Sequence, residues 1–294
     1  MALLSIDIGG TKIRAGLVEG DTVLDSTTVP TPASQGAHAV MDAVVAMGKA
    51  YSGYDGIAVA CAGVIANGTV ISATDILPGW TGTPVAQRLS TAYGLPVTVL
   101  GDVHAHGMGE ASLGAGTGYE SSLTVAVGTG IGGAFVDAGR LHTGAHHLAG
   151  HIGHMATGYA TGLLCSCGRY GHIEPLASGS GVMDRYEAAG GQRLSGRQID
   201  ERAQEGETLA QDILYGSARG LGEVLGSVAN LLDPAVIILS GSMTRSGRAW
   251  WDALAQGYAQ SAMDLAQKTP LVVGTLGDNA PLLGAAVQWT KEWQ

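Results

Sequence analysis

Basic residues and long apolar runs are scarce in this chain. Its 294 residues include 15 lysines and arginines against 25 aspartates and glutamates, a net charge of −10. This balance argues against nucleic acid or an anionic membrane surface as a partner. No uncharged apolar run is long enough for a transmembrane helix, and the apolar segment 2–8 is too short for a signal peptide. We therefore expect a cytoplasmic protein.

Cysteine and phenylalanine are also rare, with three cysteines and a single Phe135. Three cysteines do not make a disulfide framework, and Cys61 is expected to be a small buried apolar residue. Glycine, in contrast, is abundant at 47 residues, but it is not periodic, which excludes a collagen-like chain. Glycines spread among apolar runs predict an enzyme-like fold with many tight turns.

The hydrophobic pattern alternates between strand and helix periods, which predicts an α/β architecture. A meander of strands at 3–8, 13–18 and 23–29 opens the chain, and helices are expected at 84–93, 102–113, 174–188 and 207–232. A second strand–glycine turn–strand unit at 122–136 repeats the opening one. This repeat indicates two related lobes facing a shared cleft. We assign 1–113 plus 278–294 to a smaller lobe and 114–277 to a larger one.

Four potential metal ligands lie within the short segment 154–172, namely His154, Cys165, Cys167 and His172. The alternative interpretation is ordinary buried thiols with polar loop histidines. The surrounding glycines leave little side chain for a packed core, which favours a closed tetrahedral zinc site. Since protein side chains would fill all four positions, this zinc would be structural and not catalytic.

Two glycine turns could cradle phosphate groups, because glycine lets backbone N–H groups approach an anion. Neither is a Walker A loop or a Rossmann turn, since no helix follows directly. Asp7 could also hold Mg²⁺ through water. A plain hairpin turn is the alternative for either turn alone, but their joint occurrence favours a polyphosphate clamp. The predicted phosphate-binding residues are Asp7, Gly9, Gly10, Thr11 and Lys12 in the first turn and Gly128, Thr129, Gly130, Gly132 and Gly133 in the second.

These motifs, taken in order, resemble those of the ROK family (repressor, open reading frame, kinase) of sugar kinases. The matching segments are DIGGTK at 7–12, GDVHAHGMGE at 101–110, VGTGIGG at 127–133, GHIGH at 150–154, CSCGRYGHIE at 165–174, VIILSGSM at 236–243 and LLGAAV at 282–287. The resemblance covers the whole chain. It implies a two-lobed actin-like ATPase (ribonuclease H-like) fold with a central cleft and a zinc-stabilised loop, and commonly a homodimer.

The resemblance also implies roles for individual residues in phosphorylating a sugar with ATP and Mg²⁺. Asp102 would be the general base; the alternative interpretation is an N-cap carboxylate, and the two roles are compatible. His154 would be both a zinc ligand and close to the sugar, and Gly241 would lie on the adenosine side. A sugar-side loop includes Asp75, Trp80 and Thr81, where we expect Trp80 to anchor the loop. The implied sugar contacts are Gly63, Thr81, Gly101, Asp102, His151, His154 and Glu174.

Three positions depart from the family pattern. Gly101 replaces an asparagine and removes an amide, His172 replaces the third cysteine, and His151 replaces a glutamate. Imidazole substitutes readily for thiolate at zinc, so the His₂Cys₂ set is retained. An imidazole at His151 can donate where a carboxylate only accepts, which suits an N-acetyl carbonyl.

The LAGHIGH segment resembles the bacterial family members that phosphorylate N-acetylmannosamine, so we expect this substrate, phosphorylated at its 6-hydroxyl. The alternatives are a kinase for glucose or N-acetylglucosamine, and a non-catalytic sugar sensor suggested by Gly101 and His151. A DNA-binding repressor is not expected, because the phosphate turn begins at Asp7 and the chain is acidic.

Overall fold

A computed structural model describes residues 1–73 and 77–294, which form two compact units. Unit 1 consists of Met1–Ser121, Ala134–Gly150 and Gly274–Gln294, and unit 2 consists of Ser122–Gly133 and His151–Val273. These limits differ from the predicted lobes chiefly at 134–150, which joins unit 1. The physical reason is apolar packing, because Val136 and Leu141 share a hydrophobic core with Leu282 and Leu283.

The secondary structure follows the predicted alternation. The strands are β1 (Ala2–Ile8), β2 (Lys12–Glu19), β3 (Thr22–Pro30), β4 (Gly56–Cys61), β5 (Val64–Ala66), β6 (Thr69–Ser72), β7 (Val97–Gly101), β8 (Ser121–Val127), β9 (Ile131–Asp137), β10 (Arg140–His142), β11 (Val236–Ser240) and β12 (Leu271–Val273). The helices are α1 (Gly36–Gly48), α2 (Val85–Tyr93), α3 (Asp102–Leu113), α4 (Glu174–Ala177), α5 (Gly179–Ala188), α6 (Gly196–Gln204), α7 (Thr208–Leu232), α8 (Arg248–Ser261) and α9 (Ala280–Trp293).

Unit 1 is built on a five-stranded sheet in the order β3-β2-β1-β4-β7. The first three strands are antiparallel, which confirms the predicted meander, and β1, β4 and β7 are parallel. Every residue of β4 is buried, as expected for a parallel strand covered on both faces. Apolar residues of α1 and α2 cover one face, and those of α3 and α9 cover the other.

Helices α3 and α9 pack with their backbones in close approach, and this contact fixes the helix that begins at Asp102. A Cβ on Gly284 would clash with the Ala105 carbonyl, and one on Gly109 would clash with the Ala280 carbonyl. Glycine at both positions is therefore a packing requirement.

Unit 2 contains the parallel strands β8, β11 and β12 and the helices α5 to α8. The single helix expected at 174–188 is wrong, because the chain breaks at Ser178 into α4 and α5. Ser178 has extended backbone angles, and its Oγ accepts a hydrogen bond from Gly181 N at 3.0 Å. It is thus the N-cap of a new helix. Among residues 1–73 and 77–294, no helix has the length and apolarity that crossing a membrane requires.

Candidate active site

Two carboxylates lie where the parallel strands of unit 1 end. Ile8 of β1 pairs with Cys61 of β4, and Cys61 pairs with Gly101 at the end of β7. Asp7 precedes this edge by one residue, and Asp102 follows it as the first residue of α3. The register of three parallel strands therefore brings the predicted base and the predicted Mg²⁺ residue to one edge of the sheet.

The environment of Asp7 favours its protonated form. Burial, together with the negative charge of Asp102, raises the pKa of Asp7 to about 7, even though the cations Lys12 and Arg14 lower it. Sequence reasoning missed Arg14, although its spacing of two residues from Lys12 on one strand puts both on the same face. Arg14 Nη1 donates to the Asp278 carbonyl oxygen and Nη2 to Asn279 Oδ1, each at 2.7 Å.

Asp102 is held by the first turn of its own helix. Its Oδ1 accepts a hydrogen bond from Val103 N at 2.8 Å, and Gly101 occupies the N-cap position. The carboxylate thus lies at the positive end of the helix dipole. The N-cap interpretation of Asp102 is therefore wrong, because Asp102 is the first residue of the helix and Gly101 is its N-cap. The catalytic role of Asp102 stays a prediction.

The space beside Gly101 is occupied by its neighbours. A Cβ on Gly101 would lie 3.3 Å from the Gly63 carbonyl oxygen and 3.6 Å from His104 Nδ1. The His104 ring is buried, and its Nε2 lies 2.8 Å from the Ala149 carbonyl oxygen. His106 is also largely enclosed, and burial lowers its pKa. Neither histidine of this helix is therefore a surface residue.

The first glycine turn joins β1 to β2 and leaves its polar residues accessible. Gly9 N donates to the Lys12 carbonyl oxygen at 3.0 Å, and Thr31 Oγ1 donates to the Gly9 carbonyl oxygen at 2.7 Å. Gly9 and Gly10 are half-buried, whereas Thr11 and Lys12 are exposed. The hydrogen bond from Thr31 therefore stabilises the turn, and the exposed side chains of Thr11 and Lys12 are accessible to a ligand.

The loop that follows β6 is anchored by Trp80, as predicted. Its side chain is buried, and its Nε1 donates to the Ala62 carbonyl oxygen at 2.9 Å. The next residue, Thr81, is exposed. Gly63 has φ +109°, a backbone conformation that residues other than glycine rarely adopt. The turn itself therefore requires glycine at this position. Asp75 lies outside the described residues.

In unit 2, the second glycine turn is supported by helix α5. Gly179 N donates to the Gly128 carbonyl oxygen at 2.7 Å, and Ser180 Oγ donates to the Thr129 carbonyl oxygen at 2.5 Å. Gly241 lies against the backbone of Val127, one residue before the turn. Gly130 ends the turn, and Gly132 and Gly133 follow in β9. The predicted phosphate residues of this unit therefore cluster around the end of β8.

Glu174 lies against the same turn. Its Oε2 accepts from Ile131 N at 3.1 Å, and its Oε1 accepts from Ser166 Oγ at 3.0 Å. A Cβ on Gly130 would lie 2.8 Å from Oε2, and one on Gly153 would lie 3.2 Å from it. The carboxylate is therefore packed onto glycine backbone. Sequence reasoning missed Ser166, because nothing local marks a serine between two cysteines as a partner of Glu174.

The four predicted metal ligands come together in unit 2. The ligand atoms of His154, Cys165, Cys167 and His172 lie within 4.8 Å of one another. The His154 Nδ1 to Cys165 Sγ distance is 3.4 Å, and the His172 Nδ1 to Cys167 Sγ distance is 3.3 Å. Tetrahedral zinc with ordinary bond lengths separates nitrogen and sulfur by about 3.5 Å. The set therefore fits a zinc ion.

The electrostatics favour the metal-binding form of two of the four ligands, whereas burial raises the pKa of the Cys165 thiol. Burial lowers the pKa of His154, which keeps its imidazole neutral, and a backbone hydrogen bond involving Arg169 lowers the pKa of the Cys167 thiol. His151 is half-buried and stacks on His154, with ring centroids 6.2 Å apart. The predicted specificity residue thus lies beside the cluster.

This arrangement of strands, glycine turns and carboxylates belongs to the α/β sugar kinases of the actin-like ATPase type. A model of the ROK family matches residues 3–292. N-acetylmannosamine kinase of Shigella flexneri is 33% identical to the chain over 98% of both sequences. The ROK hexokinase of Thermus thermophilus superimposes with a TM-score of 0.89 at 30% identity, covering 99% of both chains.

A ROK glucokinase from Streptomyces griseus, solved with glucose and AMPPNP, is similar with a TM-score of 0.84 at 28% identity, covering 99% of this chain and all of the other. The chain belongs to the ROK family and is a sugar kinase.

Proposed function

We propose that the protein is an ATP-dependent N-acetylmannosamine kinase that phosphorylates the sugar 6-hydroxyl. The observation that carries this proposal is the 33% identity to a kinase of that name over 98% of both sequences. His151 supports the substrate, because an imidazole N–H can donate to the carbonyl of a C2 N-acetyl group.

Asp102 is the general base of the proposed reaction. Its carboxylate takes the proton of the 6-hydroxyl as the hydroxyl oxygen attacks the γ-phosphorus of ATP, and the bond from that phosphorus to the bridging oxygen breaks to release ADP. The hydrogen bond from Val103 N at 2.8 Å supports this role, since it restricts the carboxylate to one orientation.

The two glycine turns hold the phosphates. Thr11, Lys12 and Thr129 provide polar side chains, and the glycines provide backbone N–H groups. Mg²⁺, when bound with ATP, neutralises charge on the phosphate oxygens, and Asp7 is the residue that would hold it through water. The Asp7 carboxyl fits this role, because its buried negative charge gains from a nearby cation.

The sugar is contacted by Gly63, Thr81, Gly101, Asp102, His151, His154 and Glu174 in this proposal. His154, Cys165, Cys167 and His172 hold a structural zinc ion that shapes the loop carrying three of those contacts. The zinc would supply no open position for chemistry, since four protein ligands complete a tetrahedral site.

A second candidate substrate is glucose, which the similar Streptomyces griseus kinase binds. The discriminating residue is His151, since an acceptor-only carboxylate there would suit a free 2-hydroxyl better than an imidazole does. N-acetylglucosamine is a further alternative substrate and is included in the same assay. A non-catalytic sugar sensor is the alternative of another class.

The experiment is a coupled ADP-release assay with N-acetylmannosamine, N-acetylglucosamine, glucose and mannose. We expect the highest kcat/KM on N-acetylmannosamine and a loss of about 10²-fold or more in kcat for Asp102→Asn. Turnover of glucose without turnover of N-acetylmannosamine would overturn the substrate. Sugar binding without any turnover would identify a sensor.

The homodimer and the cytoplasmic localisation remain predictions, as do the two lobes at 1–113 plus 278–294 and at 114–277. The zinc ion and the residue roles belong to the proposal as well.

A further inference from the structure

The orientation of Glu174 is set by two donors from different segments. Ile131 N, just beyond the second glycine turn, donates to Oε2 at 3.1 Å, and Ser166 Oγ donates to Oε1 at 3.0 Å. The Oε2 side lies against Gly130 and Gly153, whose backbones leave no room for a side chain there. Rotation about the terminal bond of Glu174 is therefore restrained from both ends, with the Ser166 hydroxyl as the donor to Oε1.

Ser166 is well placed for this restraint, because the residues on both sides of it belong to the Cys/His cluster. Its neighbours are Cys165 and Cys167, and the turn closes with Cys165 N donating to the Arg169 carbonyl oxygen at 2.8 Å and Gly168 N donating to the Cys165 carbonyl oxygen at 2.9 Å. The backbone of Ser166 therefore follows the geometry of the cluster.

The Ser166–Glu174 pair is also accessible to a small molecule. Both residues line a cavity of about 350 Å³ within unit 2, and the Ser166 side chain is exposed. One hydroxyl donor uses one lone pair of Oε1, so the carboxylate keeps acceptor capacity for a sugar hydroxyl.

We propose that Ser166 is a positioning residue that holds the Glu174 carboxylate in the orientation that binds the sugar. The inference rests on the proposed role of Glu174 as a sugar contact. A positioning residue of this kind acts on sugar binding and leaves ATP binding and the chemical step largely unchanged.

The test compares steady-state kinetics and zinc content of Ser166→Ala and Ser166→Thr. For Ser166→Ala we expect the KM for sugar to rise about 3- to 10-fold, as for loss of one ordinary hydrogen bond, with kcat and the KM for ATP within about 2-fold. Ser166→Thr keeps the hydroxyl and restores the sugar KM. Zinc content stays that of the wild type.

Thr161→Ala is the matched control. Thr161 is an exposed hydroxyl residue of the same loop, but its Oγ1 donates to the Gly158 carbonyl oxygen at 2.8 Å and not to Glu174. We expect its sugar KM to equal that of the wild type. An unchanged sugar KM for Ser166→Ala, an equal rise for Thr161→Ala, or a loss of zinc from Ser166→Ala would each overturn the inference.

Glu174→Gln separates this inference from the function on which it rests. An unchanged sugar KM for Glu174→Gln would remove Glu174 as a sugar contact and would contradict the proposed site itself. A raised sugar KM for Glu174→Gln together with a normal one for Ser166→Ala would overturn only the role of Ser166.

Discussion

The ionisation of Asp7 affects the energetics of unit 1. Its pKa of about 7 in the fold lies above the ordinary value of 3.8, because burial and the charge of Asp102 disfavour the carboxylate. Between these two values the folded chain binds more protons than the unfolded chain, so this group makes stability fall as pH rises from about 4 to 7. Above pH 7 its effect is constant.

Asp7→Asn removes this buried charge while keeping the shape of the side chain. Relative to wild type, we expect the variant to be more stable at pH 8, by up to about 4 kcal/mol for a shift of roughly three pKa units, and to gain much less at pH 5. Urea unfolding at both pH values measures the difference. Asp25→Asn, at an exposed carboxylate of β3, is the control. An increase in the free energy of unfolding of Asp7→Asn that is the same at both pH values would contradict the raised pKa of Asp7.

At the residue scale, the sequence predicts which side chains carry chemistry better than it predicts their hydrogen-bond partners. The Cys/His ligands are recognisable from their residue types and spacing, whereas Asp102 and Glu174 are recognisable from their places in motifs that resemble those of the ROK family. Ser166 and His104 are not, because their roles depend on contacts between segments that are far apart in the chain. The burial of His104 follows from the position of Ala149, 45 residues away.

At the scale of elements, periodicity and capping residues predict most boundaries. Helix α3 spans Asp102–Leu113 as expected, and α2 ends before Gly94, which adopts the left-handed conformation of a helix C-cap. The β5–β6 hairpin was missed, because strands of three and four residues are too short for a periodic signal. The break at Ser178 depends on one side-chain hydrogen bond.

The segment at 151–174 has little regular structure, and metal binding is expected to stabilise it. It holds two short 3-10 turns and the isolated bridges Ala156–His172 and Leu164–Tyr170. We expect purified protein to contain about one zinc per chain, and chelation to lower Tm by roughly 5–10 °C. Zinc analysis and a thermal melt measure both, and added zinc should restore Tm.

The matched variant for the chelation experiment is Cys165→Ser with Cys167→Ser. Because it lacks both thiolate ligands, its Tm should already be low and should not respond to the chelator. Protein purified without zinc, or an equal response of the variant and the wild type, would contradict the metal assignment.

At the scale of the whole molecule, Glu110 joins distant parts of the chain within unit 1. Its side chain is fully buried at the end of α3. Its Oε2 accepts from Ala115 N and Thr275 N, both at 3.0 Å, and its Oε1 accepts from Leu276 N at 2.9 Å. Ala115 lies near the point where the chain leaves unit 1, and Thr275 and Leu276 lie where it returns. The family motif includes this glutamate, but only the fold reveals that its partners are backbone amides.

We therefore expect Glu110→Gln to destabilise the protein by about 2–4 kcal/mol. The glutamine side chain has one acceptor oxygen and one NH₂ group in place of two acceptor oxygens. At least one buried backbone N–H therefore loses its acceptor and faces the NH₂ group, which is also a donor. Urea unfolding measures the loss, and faster amide hydrogen exchange at Ala115, Thr275 and Leu276 would locate it. Glu120→Gln is the control, because that side chain is exposed. Equal stability of the two variants would show that the carboxylate charge at Glu110 is not needed to hold these segments together.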